Sequence, residues 1–170
     1  ATRSERKGLE VGIETEFREG LSGYLALTYL DAEFTKDFTS RTVTPTSTTV
    51  RNVPSGNKLP ATPEVAVYGE IAWKKPAWSG FSTAFEMRHN GKVYVDDVNS
   101  DSADSYTIFN LRAGLEQKVG QWRFKEFARV DNLADEDYAS SVIVNEANSR
   151  FFEPAPGRNW LLGVNVSRSF

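Results

Sequence analysis

From Trp160 onward, apolar and polar residues alternate one for one. Trp160, Leu162, Val164, Val166 and Phe170 fall on one side of an extended chain, and Leu161, Gly163, Asn165, Ser167 and Ser169 on the other. A side-chain period of two is that of a β-strand with one apolar and one small, polar face. Six further segments repeat the pattern. Lys7–Arg18 sets Leu9, Val11, Ile13 and Phe17 against Glu10, Gly12, Glu14 and Glu16, and Leu21–Phe34 sets Leu25, Leu27 and Tyr29 against Ser22, Tyr24, Ala26 and Thr28. Glu64–Lys74 opposes Val65, Val67, Ile71 and Trp73 to Tyr68, Glu70 and Lys74, and Phe81–Lys92 opposes Phe81, Phe85 and Met87 to Ser82, Glu86, Arg88 and Asn90. Ser105–Lys118 places Phe109, Leu111, Ala113 and Leu115 opposite Asn110, Arg112, Gly114 and Glu116, and Gln121–Asp131 places Trp122, Phe124, Ala128 and Val130 opposite Arg123, Lys125 and Arg129. No period of 3.6 is sustained, so no helix is predicted.

The connections alternate as regularly as the side chains. Short ones fall at 19–20, 75–80 and 119–120, and long ones at 35–63, 91–104 and 132–158. All short turns therefore lie at one end of an antiparallel meander and all long loops at the other. Outer-membrane β-barrels are built this way, with strands of about ten residues that show apolar side chains to lipid and polar ones to the interior. In a soluble domain, structureless loops of this length count against the assignment. The first long loop, with its Thr/Ser run Thr42–Thr49, reads as flexible and solvated. Each short turn forces a hairpin, so neighbouring strands are expected to pair in sequence order, leaving the first and last without partners in this chain. Aromatics fall near strand ends: Phe17, Trp73, Trp78, Phe81, Trp122 and Phe170 toward the short turns, and Tyr29, Phe34, Tyr94, Tyr106 and Trp160 toward the long loops. Two interfacial girdles predict that distribution.

Composition is compatible with this reading. The 170 residues carry a net charge of -3, and the mean hydropathy is -0.45. No apolar run approaches the length of a membrane-spanning helix, but a barrel wall needs only every second residue apolar. An acidic chain offers no electrostatic case for nucleic acid. The absence of cysteine excludes disulfides and thiolate metal sites. No catalytic, metal or cofactor constellation is visible. His89, the one histidine, alternates onto the apolar face beside Met87 and reads as an interface residue. The acidic stretches Asp135–Asp137 and Asp96, Asp97, Asp101, Asp104 lack the spacing and glycine of a calcium loop. Glu10, Glu14, Glu16, Glu64, Glu70 and Glu116 share the polar faces with Arg18, Lys74, Arg88, Arg112, Arg123, Lys125 and Arg129, as solvated cross-strand pairs do. Glu126 breaks the pattern: it alternates onto the face of Trp122 and Phe124, where a carboxylate in mid-bilayer costs about 2 kcal/mol or less. A bulge near Glu126-Phe127 is expected to remove the conflict.

Three stretches carry a family resemblance: Arg129-Val-Asp-Asn-Leu-Ala-Asp-Glu-Asp-Tyr138, then Phe152-Glu-Pro-Ala-Pro-Gly-Arg158, then the last strand ending in Phe170. Leu59-Pro-Ala-Thr-Pro63, leading into a strand, adds to it. The chain resembles the C-terminal part of TonB-dependent outer-membrane receptors. The resemblance implies a barrel of about 22 strands, closed by an N-terminal plug domain, which imports ferric siderophores or similar scarce chelates with energy from TonB. Residues 1–170 would form one segment of that wall, roughly its last third, with Ala1–Arg6 in an extracellular loop and the plug and TonB-binding segment elsewhere. It would sit in the outer membrane of a Gram-negative cell, against lipid. Ligand contacts implied by the family's loop aromatics and arginines are Tyr94, Tyr138, Arg150, Phe151, Phe152 and Arg158. Phe170, with Trp160 and the outward row between them, would be the signal read by the barrel-assembly machinery. Two other readings stand beside this one. A small complete outer-membrane barrel, such as an adhesin, needs an eighth strand that Ala1–Arg6 is too short and polar to supply. A soluble β-sandwich binding module accommodates wet loops but not their confinement to one end.

Overall fold

The computed structural model describes residues 2–43 and 47–169. Seven long strands form one antiparallel sheet: β1 (Ser4–Arg18), β2 (Leu21–Phe34), β5 (Val65–Lys75), β6 (Phe81–Asn90), β9 (Tyr106–Val119), β10 (Trp122–Asp131) and β13 (Asn159–Arg168). Their spatial order is β1-β2-β5-β6-β9-β10-β13, so every neighbour in space is the next long strand in the chain. There are no Greek-key crossings and no second packed layer in this sheet, which removes the sandwich reading. The described residues contain no helix long and apolar enough to cross a membrane.

The turns follow from their glycines. Gly20, Gly80 and Gly120 stand in the three short connections with φ of 76°, 64° and 61°, values that a Cβ disfavours. In the widest of these turns, Gly80 N donates to Pro76 O (3.0 Å) and Phe81 N to Trp78 O (3.0 Å).

Cross-strand rows place the two faces. Gly23, Ile71, Phe85, Leu111, Val130 and Trp160 make one apolar row, and Ile13, Leu25, Gly69, Met87 and Phe109 another. The opposite face carries rows such as Glu14, Tyr24, Glu70, Glu86 and Asn110. Most of the apolar face is exposed, from Leu9 on β1 to Leu162 on β13, far more than the largest apolar patch of an ordinary soluble monomer.

Each long loop carries a small hairpin. These are β3 (Phe38–Val43) with β4 (Thr48–Val53), β7 (Val93–Tyr94) with β8 (Ser102–Ala103), and β11 (Ala139–Val142) with β12 (Phe152–Pro154). The first gives strand structure to both ends of the Thr42–Thr49 stretch, expected to be flexible and solvated, while residues 47–49 are exposed. Phe38–Val43 pairs residue for residue with Thr48–Val53, and the intervening residues 44–46 lie outside the described part. Thr and Val are β-branched and lose little in adopting extended backbone. The hairpin is anchored by fully buried Val53 and by Phe38, whose ring meets Phe34 edge-on at 4.8 Å.

Three further expectations change. β1 starts at Ser4, paired with Phe34, so residues 4–6 extend the wall rather than a loop. The loop-end girdle loses two members. Phe34 is buried under the hairpin, and Tyr106 shares the polar face with Asn90 and packs on Tyr138 at 4.1 Å. At the short-turn end Trp73, Trp78 and Phe81 do cluster, at 5.4–6.5 Å between ring centroids. Finally, no bulge relieves Glu126: both ladders run through it unbroken, opposite Leu115 and Val164. The irregularity in the sheet falls between Glu16 and Arg18 instead.

Candidate functional site

Two polar regions remain once the apolar face is set aside: a belt of ion pairs on the other face, and the crown where the loops meet.

The belt centres on Glu86 of β6, 5% exposed. Its neighbours Ala72 and Ala84 are small and share a row with Arg112 and Arg129, which leaves room for both guanidiniums to reach it diagonally. Arg112 Nε lies 3.2 Å from Glu86 Oε1, and Arg129 Nη2 lies 3.2 Å from Oε2. The same arginines bind outward along the sheet, Arg112 to Glu70 (2.8 Å) and Arg129 to Asp131 (2.6 Å). Tyr68 donates its hydroxyl to Glu70 Oε2 at 2.9 Å. The result is a network of three carboxylates and two guanidiniums across four strands, held by charge-assisted hydrogen bonds.

The crown joins all three long loops. Asn57 Nδ2 donates to Asp97 O (2.9 Å), Lys58 N to Asn99 Oδ1 (2.8 Å), and Asn99 Nδ2 back to Lys58 O (2.9 Å), so the first loop is stitched to the second. The second is stitched to the third by Asp97 N donating to Asn145 Oδ1 (3.1 Å) and Asn145 N to Val95 O (3.0 Å). Lys58 also clamps the loop base, 2.5 Å from Asp31 and 2.8 Å from Glu64. Those two hydrogen bonds, Asp31's first, hold its ammonium well above the ordinary lysine value. Between the loops lies a polar cavity of about 100 Å³ lined by Ser40, Thr49, Arg51, Asp96, Asn145 and Phe151, among others. Asp96 is buried there, bound by Arg51 Nη1 at 3.2 Å and by the backbone N–H of Ser100 at 2.8 Å. Glu146 on the cavity rim accepts from the backbone N–H groups of Arg150 (3.0 Å) and Asn148 (2.6 Å), Arg150's bond being the larger cause of a carboxyl held below its ordinary value.

The six residues anticipated as ligand contacts do not converge. Phe151 lines the cavity, while Tyr138 and Phe152 share an open groove with Asp101, Asp104, Glu136 and Asp137. Tyr94 lies beneath Lys92, whose ammonium is 4.6 Å from its ring centroid. Arg150 contributes its backbone to Glu146, and Arg158 is committed to Asp135 through its N–H (2.7 Å) and guanidinium (3.7 Å). Trp160 stands exposed on the apolar face at the start of β13, and Phe170 lies outside the described residues. His89 keeps to the apolar face, Nδ1 2.9 Å from Thr107 Oγ1. Among the described residues no group of three or more His, Asp or Glu could hold a metal ion.

The motif residues have structural roles. Asn132 ends β10 with φ of 54° and is 2% exposed. Its Nδ2 donates to Glu136 O (2.8 Å) and its Oδ1 accepts from Glu136 N (2.9 Å), replacing a backbone turn by a side chain. Leu133 N then donates to Phe109 O. Asp135, also at positive φ, receives the returning Gly157-Arg158. The loop stitches at Arg51, Lys58, Asn99 and Asn145 were not anticipated. The signal available was weak: Asn99 and Asn145 are Asn residues in turn-like context, and both adopt positive φ.

Comparison with known proteins agrees with this geometry. The profile of the TonB dependent receptor-like β-barrel family matches residues 2–133. The siderophore receptor PiuA from Acinetobacter baumannii superposes with a TM-score of 0.78 at 23% identity, over 96% of this chain and 22% of that one. BauA, the ferric preacinetobactin receptor of the same organism, gives 0.74 at 19%, over 96% and 22%. The ferric yersiniabactin uptake receptor FyuA from Yersinia pestis gives 0.71 at 19%, over 98% and 23%. The chain thus spans less than a quarter of each of these receptors. It belongs to the TonB-dependent receptor-like β-barrel family.

Proposed function

We propose that residues 1–170 form one segment of the wall of an outer-membrane receptor that takes up ferric siderophores, or a similarly scarce metal chelate, with energy delivered through TonB. The observation that carries this reading is the double segregation of the sheet. Apolar side chains occupy one face and an ion-paired belt the other, and every long loop lies at the end away from the glycine turns. Lipid of a Gram-negative outer membrane suits the first face. A plug domain, contributed elsewhere in the parent protein, suits the second, whose fixed charges offer polar docking partners. The belt's carboxylates are tied to arginines, and we assign the segment no catalytic role. Strands β1 and β13 would pair with the remaining strands of the parent, because an open edge in lipid leaves backbone groups unpaired at several kcal/mol each. Assembly would proceed through the barrel-assembly machinery acting on the C-terminal strand.

Ligand capture belongs to the crown. Phe151, with Tyr138 and Phe152 in the neighbouring groove, is the best placed of the anticipated contacts, followed by Tyr94 and Arg150, while Arg158 serves the loop. The test is uptake of radiolabelled iron from a panel of ferric siderophores by cells that carry the full-length parent and lack their own iron receptors. Saturable uptake of at least one chelate, abolished in TonB-deficient cells, is expected. Uptake that persists without TonB, or none from any chelate by correctly inserted protein, would overturn the reading.

A further inference from the structure

Glu126 is unexplained by the wall that holds it. Its partners Leu115 and Val164 place it on the apolar face near the middle of β10, four residues from Trp122 and five from Asp131. Its Oε2 is sealed from solvent without a hydrogen-bond partner. None of the ion pairs formed by nearby acids, such as those of Glu86 and Glu116, includes it.

The surroundings have a shape. Ala113 and Ala128 face each other across the β9–β10 ladder and make a low floor. Phe81, Leu115, Leu162 and Val164 stand around it, enclosing an open cleft of about 490 Å³ with Glu126 at its side. At about 3.3 Å per residue and a barrel tilt of about 40°, the carboxylate lies about 10 Å above Trp122. With Trp122 at the interface, that depth is within the hydrocarbon and out of reach of lipid headgroups. An acyl chain fills such a cleft but brings no hydrogen-bond donor, and an ionisable group at this depth marks a functional contact. The alanine floor admits a close-packed neighbour, as small residues do between membrane segments. A four-carbon stem laid along that floor would carry a terminal ammonium to the part of Glu126 that lines the cleft. A second copy of this wall does not supply it, because the cations on the described apolar face sit near strand ends, as Lys75 and Arg168 do.

We propose that this cleft is a lateral docking site for a membrane-spanning segment of a partner protein that presents a lysine at mid-bilayer depth. The proposal rests on the membrane-wall reading above. It is tested with the full-length receptor in phosphatidylcholine vesicles, carrying a photoreactive residue in place of Leu162. The probe is a synthetic leucine/alanine transmembrane helix with one central lysine. Crosslinking to the wild-type cleft is expected to exceed that to Glu126→Leu at least tenfold, with a lysine-free helix weak on both. A central-glutamate helix should regain crosslinking with Glu126→Lys. Insertion is scored separately by heat-modifiable migration. Equal crosslinking by inserted wild type and Glu126→Leu would overturn the docking site alone. Failure of the wild type to insert would overturn the wall reading and the docking site with it.

Discussion

The apolar and ion-paired faces of the seven-stranded sheet are made by the same strands, yet their residues find partners in different ways. On the apolar face each side chain needs only an apolar surrounding, and the row Gly23, Ile71, Phe85, Leu111, Val130 tolerates any mixture of shapes. On the other face Glu86 needs two particular arginines from two other strands at hydrogen-bonding distance. The first face is specified by period and the second by register, so a slip of one residue exchanges the faces outright.

The sharpest way to break this comparison is to place one charge on adjacent residues of one strand. Leu25 and Tyr24 on β2 are each 43% exposed, but Leu25 joins the apolar face and Tyr24 the row of Glu14 and Glu70. Leu25→Arg is expected to destabilise the folded full-length receptor by about 2–4 kcal/mol, the cost of arginine toward mid-bilayer. Tyr24→Arg, set between two carboxylates, should cost about 1 kcal/mol or less. Denaturant unfolding from vesicles measures both. Equal losses would mean that the two faces do not meet lipid and polar surroundings respectively.

A second contrast lies inside the loop crown. Asn132 spends its whole side chain on the turn, whereas Phe152 borders an open groove. Asn132→Ala should destabilise the 132–158 loop by about 2–4 kcal/mol, from two lost hydrogen bonds and an alanine held at positive φ. Asn132→Gly removes the backbone penalty and should recover about 1 kcal/mol of that. Limited proteolysis of the loop in the inserted receptor is the readout. Phe152→Ala should change cleavage far less, since Phe152 is 45% exposed.

Period alone made the strands legible, because a half-buried sheet writes its faces into every second residue. The Leu9–Phe17 and Phe109–Leu115 alternations mapped directly onto β1 and β9. The β3–β4 hairpin was missed because threonine-rich segments satisfy both strand and solvated-loop expectations, and buried Val53 and the Phe34–Phe38 contact decide between them only in three dimensions. Tyr106 was misplaced for a related reason: aromatic character suggested an interface, but alternation had already put it on the polar face. The crown's stitches, Asn57 to Asp97 and Lys58 to Asn99, span about forty residues and leave no local periodicity. Glu126 was legible as an anomaly, and the expected bulge failed because Ala113, Ala128, Leu115 and Val164 accept an unbroken ladder without steric conflict.

The smallest expected effect sets the ion-paired belt against one carboxylate of the crown. Glu146 accepts the backbone N–H groups of Arg150 and Asn148, which favours its ionised form and holds its carboxyl below the ordinary value of 4.5. A depressed folded value contributes order that is present above the unfolded value and lost as pH falls through the folded one. The Glu146–Arg150 turn should therefore stay intact from neutrality down to about pH 4.5, then loosen as the carboxyl takes up its proton. Amide exchange at Arg150 and Asn148, corrected for the intrinsic pH dependence, should show protection falling only in that acidic window. Glu146→Gln should show weaker protection at every pH and no step. A step that persists in the glutamine variant would mean that Glu146 is not the group responsible.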